Sequence, residues 1–74
     1  QMEKYEDAVI AMKTNTTNFP QSANTFDSLG DAYRASGDIE NARNSYKKAM
    51  ALAEAHDHPI GEVSQKKLVE LDKE

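Results

Sequence analysis

Residues Tyr5, Glu6, Ala8 and Met12 return thirty-four positions later as Ile39, Glu40, Ala42 and Tyr46. A repeat at this spacing restricts the fold more than composition does. Each copy must be one small supersecondary unit, and such a unit buries its apolar face only by stacking on a neighbour. Between the copies lies Phe26-x-x-Leu29-Gly30-x-x-Tyr33, with Pro20 just before it. Its large residues recur at the three- and four-residue steps of an α-helix.

Periodicity and punctuation predict four helices. Tyr5, Ala8, Val9 and Met12 form one stripe from Glu3 to about Lys13. The run Thr14-Asn15-Thr16-Thr17-Asn18 favours side-chain to backbone bonding, and Pro20 disfavours helical geometry at Phe19, so the first turn is expected there. Ser22 or Asn24 can cap a second helix that runs to about Ser36. Gly37 suits the left-handed backbone of a helix end, and Asp38 can accept from the first amides of a third helix spanning Ile39 to about Ala55. The missing amide of Pro59 fits the first turn of a fourth helix. Val63, Lys67, Leu68 and Leu71 are expected on one side of it, with Lys66, Glu70, Lys73 and Glu74 on the other, in water. Glycine inside a helix costs about 1 kcal/mol relative to alanine. Close approach of the second helix to the third, with Gly30 opposite the small Ala42, accounts for Gly30.

The aromatic, Leu-Gly and Tyr of the second helix, followed by Ala42 and an aromatic on the third, resemble a tetratricopeptide repeat. The resemblance covers residues 3–20 as the second helix of a partial repeat and 22–55 as one full repeat. Phe26 and Tyr46 stand where that family more often has tryptophan and phenylalanine. Aligned through Leu68, residues 59–74 form a C-terminal capping helix, with Gln65, Val69 and Asp72 in place of the aromatic, the glycine and the tyrosine. The resemblance implies one all-α domain over residues 1–74, an antiparallel helix-turn-helix stack of about four helices cut from an α-α superhelix. The stretch from Asn18 to Tyr33 also resembles the short repeat tails of some bacterial serine hydrolases and esterases. A larger, bacterial parent protein follows from that second resemblance.

The family's first helices line a groove for peptides, which implies a binding face of Asn24, Asp27, Asp31 and Arg34 on the second helix, extended by Lys66, Glu70 and Lys73 on the fourth. Members that clamp a peptide carboxylate use lysine and asparagine there. Asp27 and Asp31 would repel one, so a neutral or basic protein segment is the expected partner. The implied function is a non-catalytic protein-protein interaction module or scaffold. The alternative is a structural packing or oligomerisation tail of a larger enzyme, as a homodimer or a helix-swapped dimer.

Thirteen acidic residues against nine basic give a net charge of -4, with no cluster of Lys or Arg among aromatics. Nucleic acid is a poor match for that balance. Cysteine is absent, which removes disulfides and thiolate metal sites. The longest apolar runs fall far short of a membrane span. His56-Asp57-His58 has ligand chemistry, yet a histidine at a helix C-terminus is favoured by the dipole, and no metal or other cofactor is expected. No serine or threonine is paired with a base in a recognisable motif, and the glycines are too scattered for a phosphate loop. Neither an enzyme activity nor a cellular compartment is indicated.

Overall fold

Three local signals set the helix boundaries. The Ser22 side chain accepts from the Thr25 amide at 3.3 Å. Gly37 sits at φ 88 and its amide returns to the preceding turn. Asp38 accepts from the Asn41 amide at 3.2 Å. The computed structural model describes residues 2–56 and 58–73, with side chains from Lys4 onward. It contains helices α1 (Met2–Asn18), α2 (Ala23–Ser36), α3 (Ile39–Ala55) and α4 (Ile60–Leu71). There is no strand among the described residues.

The short connections make sequential helices antiparallel neighbours. Helix α2 packs on α3, α1 packs on α2 alone, and α4 packs on α3 while also meeting α2 over a smaller area. The result is a thin slab of 36 × 31 × 14 Å. Its interior is two small apolar clusters. Ala23, Leu52 and Ala53 gather Phe26 and Ile60 at one end. Ala42, Tyr46 and Leu71 gather Tyr33, Ile39 and Leu68 at the other.

Three expectations are corrected. Helix α1 continues past Lys13 to Asn18. Its threonine hydroxyls bond inside the helix: Thr14 donates to the Ile10 carbonyl at 3.1 Å, and Thr16 and Thr17 to the Lys13 carbonyl at 2.8 and 3.1 Å. These back-bonds take up the side chains without breaking the main-chain ladder.

The nearest neighbour of Gly30 is the ring of Tyr46, not Ala42, for an added Cβ would lie 2.5 Å from Tyr46 Cε1. Small size is needed at this point to seat an aromatic side chain.

On α4, Val63 is 43% exposed and the fully buried residues are Ser64 and Leu71. The thirty-four-residue step carries Phe26 onto Ile60 and buried Gly30 onto buried Ser64, but it also carries buried Leu29 onto exposed Val63, so α4 follows the repeat only in part. Phe26 and Ile60 pack on the same cluster. Gln65, Val69 and Asp72, placed by way of Leu68, all lie exposed.

Candidate functional site

The face implied for binding is largely spent on holding α2 to α4. Asp27 is 5% exposed, the lowest among the acidic residues described. Ser64 Oγ donates to its Oδ1 at 2.6 Å, and Lys67 Nζ donates to its Oδ2 at 2.7 Å. The same Nζ reaches Asp31 Oδ2 at 3.0 Å, while the Tyr46 hydroxyl donates to Asp31 Oδ1 at 2.6 Å. Lys67 thus spans two carboxylates one helical turn apart, a spacing that lets one ammonium serve both. Its Nζ also stands 5.8 Å from the centre of the Tyr46 ring. Arg34 reaches Glu70 at 3.8 Å.

The network lies between the two apolar clusters, and every buried side-chain polar atom among the described residues has a partner. Burial disfavours the Tyr46 phenolate, and the hydrogen bond to Asp31 disfavours it further, so its pKa is raised well above the ordinary value. For Lys67, burial alone would lower the pKa. The hydrogen bonds and charges of Asp27 and Asp31 outweigh burial and raise it.

Of the residues implied as a binding face, Asp27 is therefore interior, and Asp31 and Arg34 are engaged within the chain. Asn24, Lys66, Glu70 and Lys73 remain exposed. The family resemblance implied the face but not what covers it. The signal in the sequence was Lys67, a cation among apolar residues that needed an acidic partner.

Ser64, Asp27 and Lys67 combine a hydroxyl, a carboxylate and an amine. Ser64 is 0% exposed, so its oxygen has no approach for a substrate, and the arrangement locks two helices. His58 Nδ1 accepts from the Ile60 amide at 3.1 Å, which ties that imidazole to the start of α4. Asp57 lies outside the described residues. No group of three or more metal-ligating side chains gathers among those described. Nor is any helix among them long and apolar enough to cross a membrane.

A second surface lies at the α1 edge. Glu6, Val9 and Ile10 of α1 face Tyr33 and Ser36 of α2 and Asp38 across a cleft of about 420 Å³. Ile10 is 62% exposed and Tyr5 40%. Periodicity places Val9 on the apolar stripe of α1 and Tyr33 on the patterned face of α2, and it gives Ile10 no role. Fold and geometry together define the class of the molecule as an all-α stack of four helices. The chain matches no protein-family model, no curated protein and no solved structure in the comparisons made.

Proposed function

We propose that the chain is a non-catalytic protein-interaction module of the tetratricopeptide-repeat kind. The thirty-four-residue echo and the Gly30–Tyr46 contact support the family reading. One observation carries the function: each outer helix is covered mainly on one side and exposes large apolar side chains, Tyr5 and Ile10 on α1, Val63 and Val69 on α4. Large apolar side chains exposed on both outer helices suit surfaces that meet another chain.

The test is a displayed peptide library spanning acidic, neutral and basic sequences, with selected peptides mapped by amide chemical shifts. Reproducible selection and a contiguous map support the reading, and a library that yields no saturable binder overturns it. Asp27→Lys is unsuited to such mapping because it destroys the Lys67 pair. Lys66→Glu with Lys73→Glu probes the exposed part of the α4 surface instead.

The second reading is a packing or oligomerisation tail, which draws on the same exposure of α1. Light scattering decides it: a tight dimer that Ile10→Ser dissolves would favour packing over peptide recognition.

A further inference from the structure

The α1–α2 cleft has an apolar floor and an acidic rim. Val9, Ile10 and the Tyr33 ring supply the floor, with Glu6 and Asp38 beside it. The two carboxylates differ in what they already hold. Asp38 accepts from the Asn41 amide and from Asn41 Nδ2 at 2.7 Å, so both of its oxygens are engaged. Among the described residues, Glu6 has no hydrogen-bond or ion-pair partner, and neither does the Tyr33 hydroxyl.

Its own helix offers Glu6 no compensation. The neighbours three and four residues away are Met2, Glu3, Val9 and Ile10, none of them a cation. An uncompensated carboxylate against an exposed isoleucine is unfavourable for a neutral apolar occupant, which would desolvate the charge without pairing it. It also repels an acidic one. The occupant that satisfies both parts carries an apolar side chain with a cation close behind it.

We propose that this cleft receives a basic amphipathic segment of a partner protein. One apolar side chain rests on Val9, Ile10 and Tyr33, and one Lys or Arg head group pairs with Glu6. Asp38 and Tyr33 line the same cleft as Glu6, so the added negative charge of Asp38 favours a cationic occupant there. The inference rests on the interaction-module reading and names its site and ligand chemistry. It moves the contact away from the α2–α4 face, where Lys67 neutralises the carboxylates.

Three synthetic peptides of about twelve residues test it: one with Leu and Lys at helical spacing, one with each Lys replaced by Glu, and one with each Leu replaced by Ser. Titration into the full chain, followed by amide chemical shifts, is expected to move Val9, Ile10, Tyr33 and Ser36 with the Leu/Lys peptide alone. Glu6→Lys and Ile10→Ser change exposed positions, so the fold should persist, and each is expected to weaken binding by about tenfold or more. Phe19→Ser, also exposed but outside the cleft, should leave it unchanged.

Equal binding of the Ser/Lys peptide, or shifts scattered over Asp7, Glu40, Glu54 and Glu62, would overturn the proposal in favour of diffuse charge attraction. Shifts centred on Asn24, Lys66 and Lys73 would overturn the site while leaving the module reading intact. A concentration-dependent dimer through the cleft would assign it to a second copy and overturn the peptide ligand. Absence of any shift also overturns the proposal, and the module reading then stands or falls on the unbiased library.

Discussion

The fit of Gly30 against Tyr46 is the tightest residue-level constraint on the stack. Alanine at position 30 gains about 1 kcal/mol in helix propensity, but its Cβ would press on a ring that is fully buried. Overpacking costs about 1 to 3 kcal/mol, so Gly30→Ala is expected to lose about 1 kcal/mol net in urea unfolding. Combined with Tyr46→Leu the loss should be smaller than the sum of the two single changes, because the residues share one contact. A second prediction concerns Lys67. Among the described residues, Lys67→Met leaves Asp27 with Ser64 as its one side-chain hydrogen-bond partner, and a loss of about 2 kcal/mol is expected; Asp31→Asn should cost much less, since Asp31 is exposed. Both positions announced themselves in the sequence, one as a glycine within a helix and one as a lysine on an apolar side. Their partners did not. Ala42 and Tyr46 lie one turn apart on the same stripe, and choosing between them needs the axial offset of two helices, which no single-helix pattern contains. Asp27 went to a groove for the same reason: an acid on a helix face looks alike whether water or another helix lies over it.

At the scale of elements, turns with dedicated chemistry were legible and those resting on tendency were not. Ser22, Gly37 and Asp38 each make the bond or adopt the backbone angle that their residue types suggest. The end of α1 was misjudged because threonine back-bonding serves a helix as readily as a turn, and the choice falls to the amide of Phe19, which continues the ladder to Asn15 at 2.8 Å. Helix α4 begins one residue after the expected start and ends at Leu71, short of the expected 59–74, and it is turned by part of a rotation, since Val63 and Ser64 are adjacent and the more apolar of the two was given to the core. Ser64 goes inside because α4 must approach Asp27 closely there. The seat of α4 then depends heavily on Leu71, which is 1% exposed and belongs to the Tyr46 cluster. Leu71→Ala is expected to cost about 2 to 3 kcal/mol. Hydrogen exchange should show amides of α4 losing protection first, with the α2–α3 pair retaining more of its own; equal loss everywhere would mean that the four helices open as one unit.

For the whole molecule, thinness sets the terms. A slab 14 Å in its short dimension holds two small apolar clusters rather than one large core, so the polar network between them joins three of the four helices at the centre of the stack. That makes alkaline pH its natural weakness. Tyr46 and Lys67 both have pKa values raised by folding, which means that the folded chain holds these protons more tightly than the unfolded one. By linkage, the stability they add is complete below about pH 10, the ordinary value for either group, and is lost as pH rises through their folded values. Loss of the tyrosine proton would set a phenolate against the Asp31 carboxylate, and loss of the lysine proton would leave Asp27 and Asp31 unneutralised. The net charge of -4 grows more negative over the same range and adds general self-repulsion, so a fall in stability alone would not single out the network. Tyr46→Phe separates the two contributions. It keeps the ring in the Gly30 seat, removes one titrating proton and leaves the overall charge at neutral pH unchanged. Urea midpoints measured from pH 8 to pH 11, on the order of the reference values, should fall less steeply above pH 10 in Tyr46→Phe than in the parent chain. Parallel curves would show that the Tyr46–Asp31 bond contributes nothing to the alkaline loss, which would then come from Lys67 and surface charge.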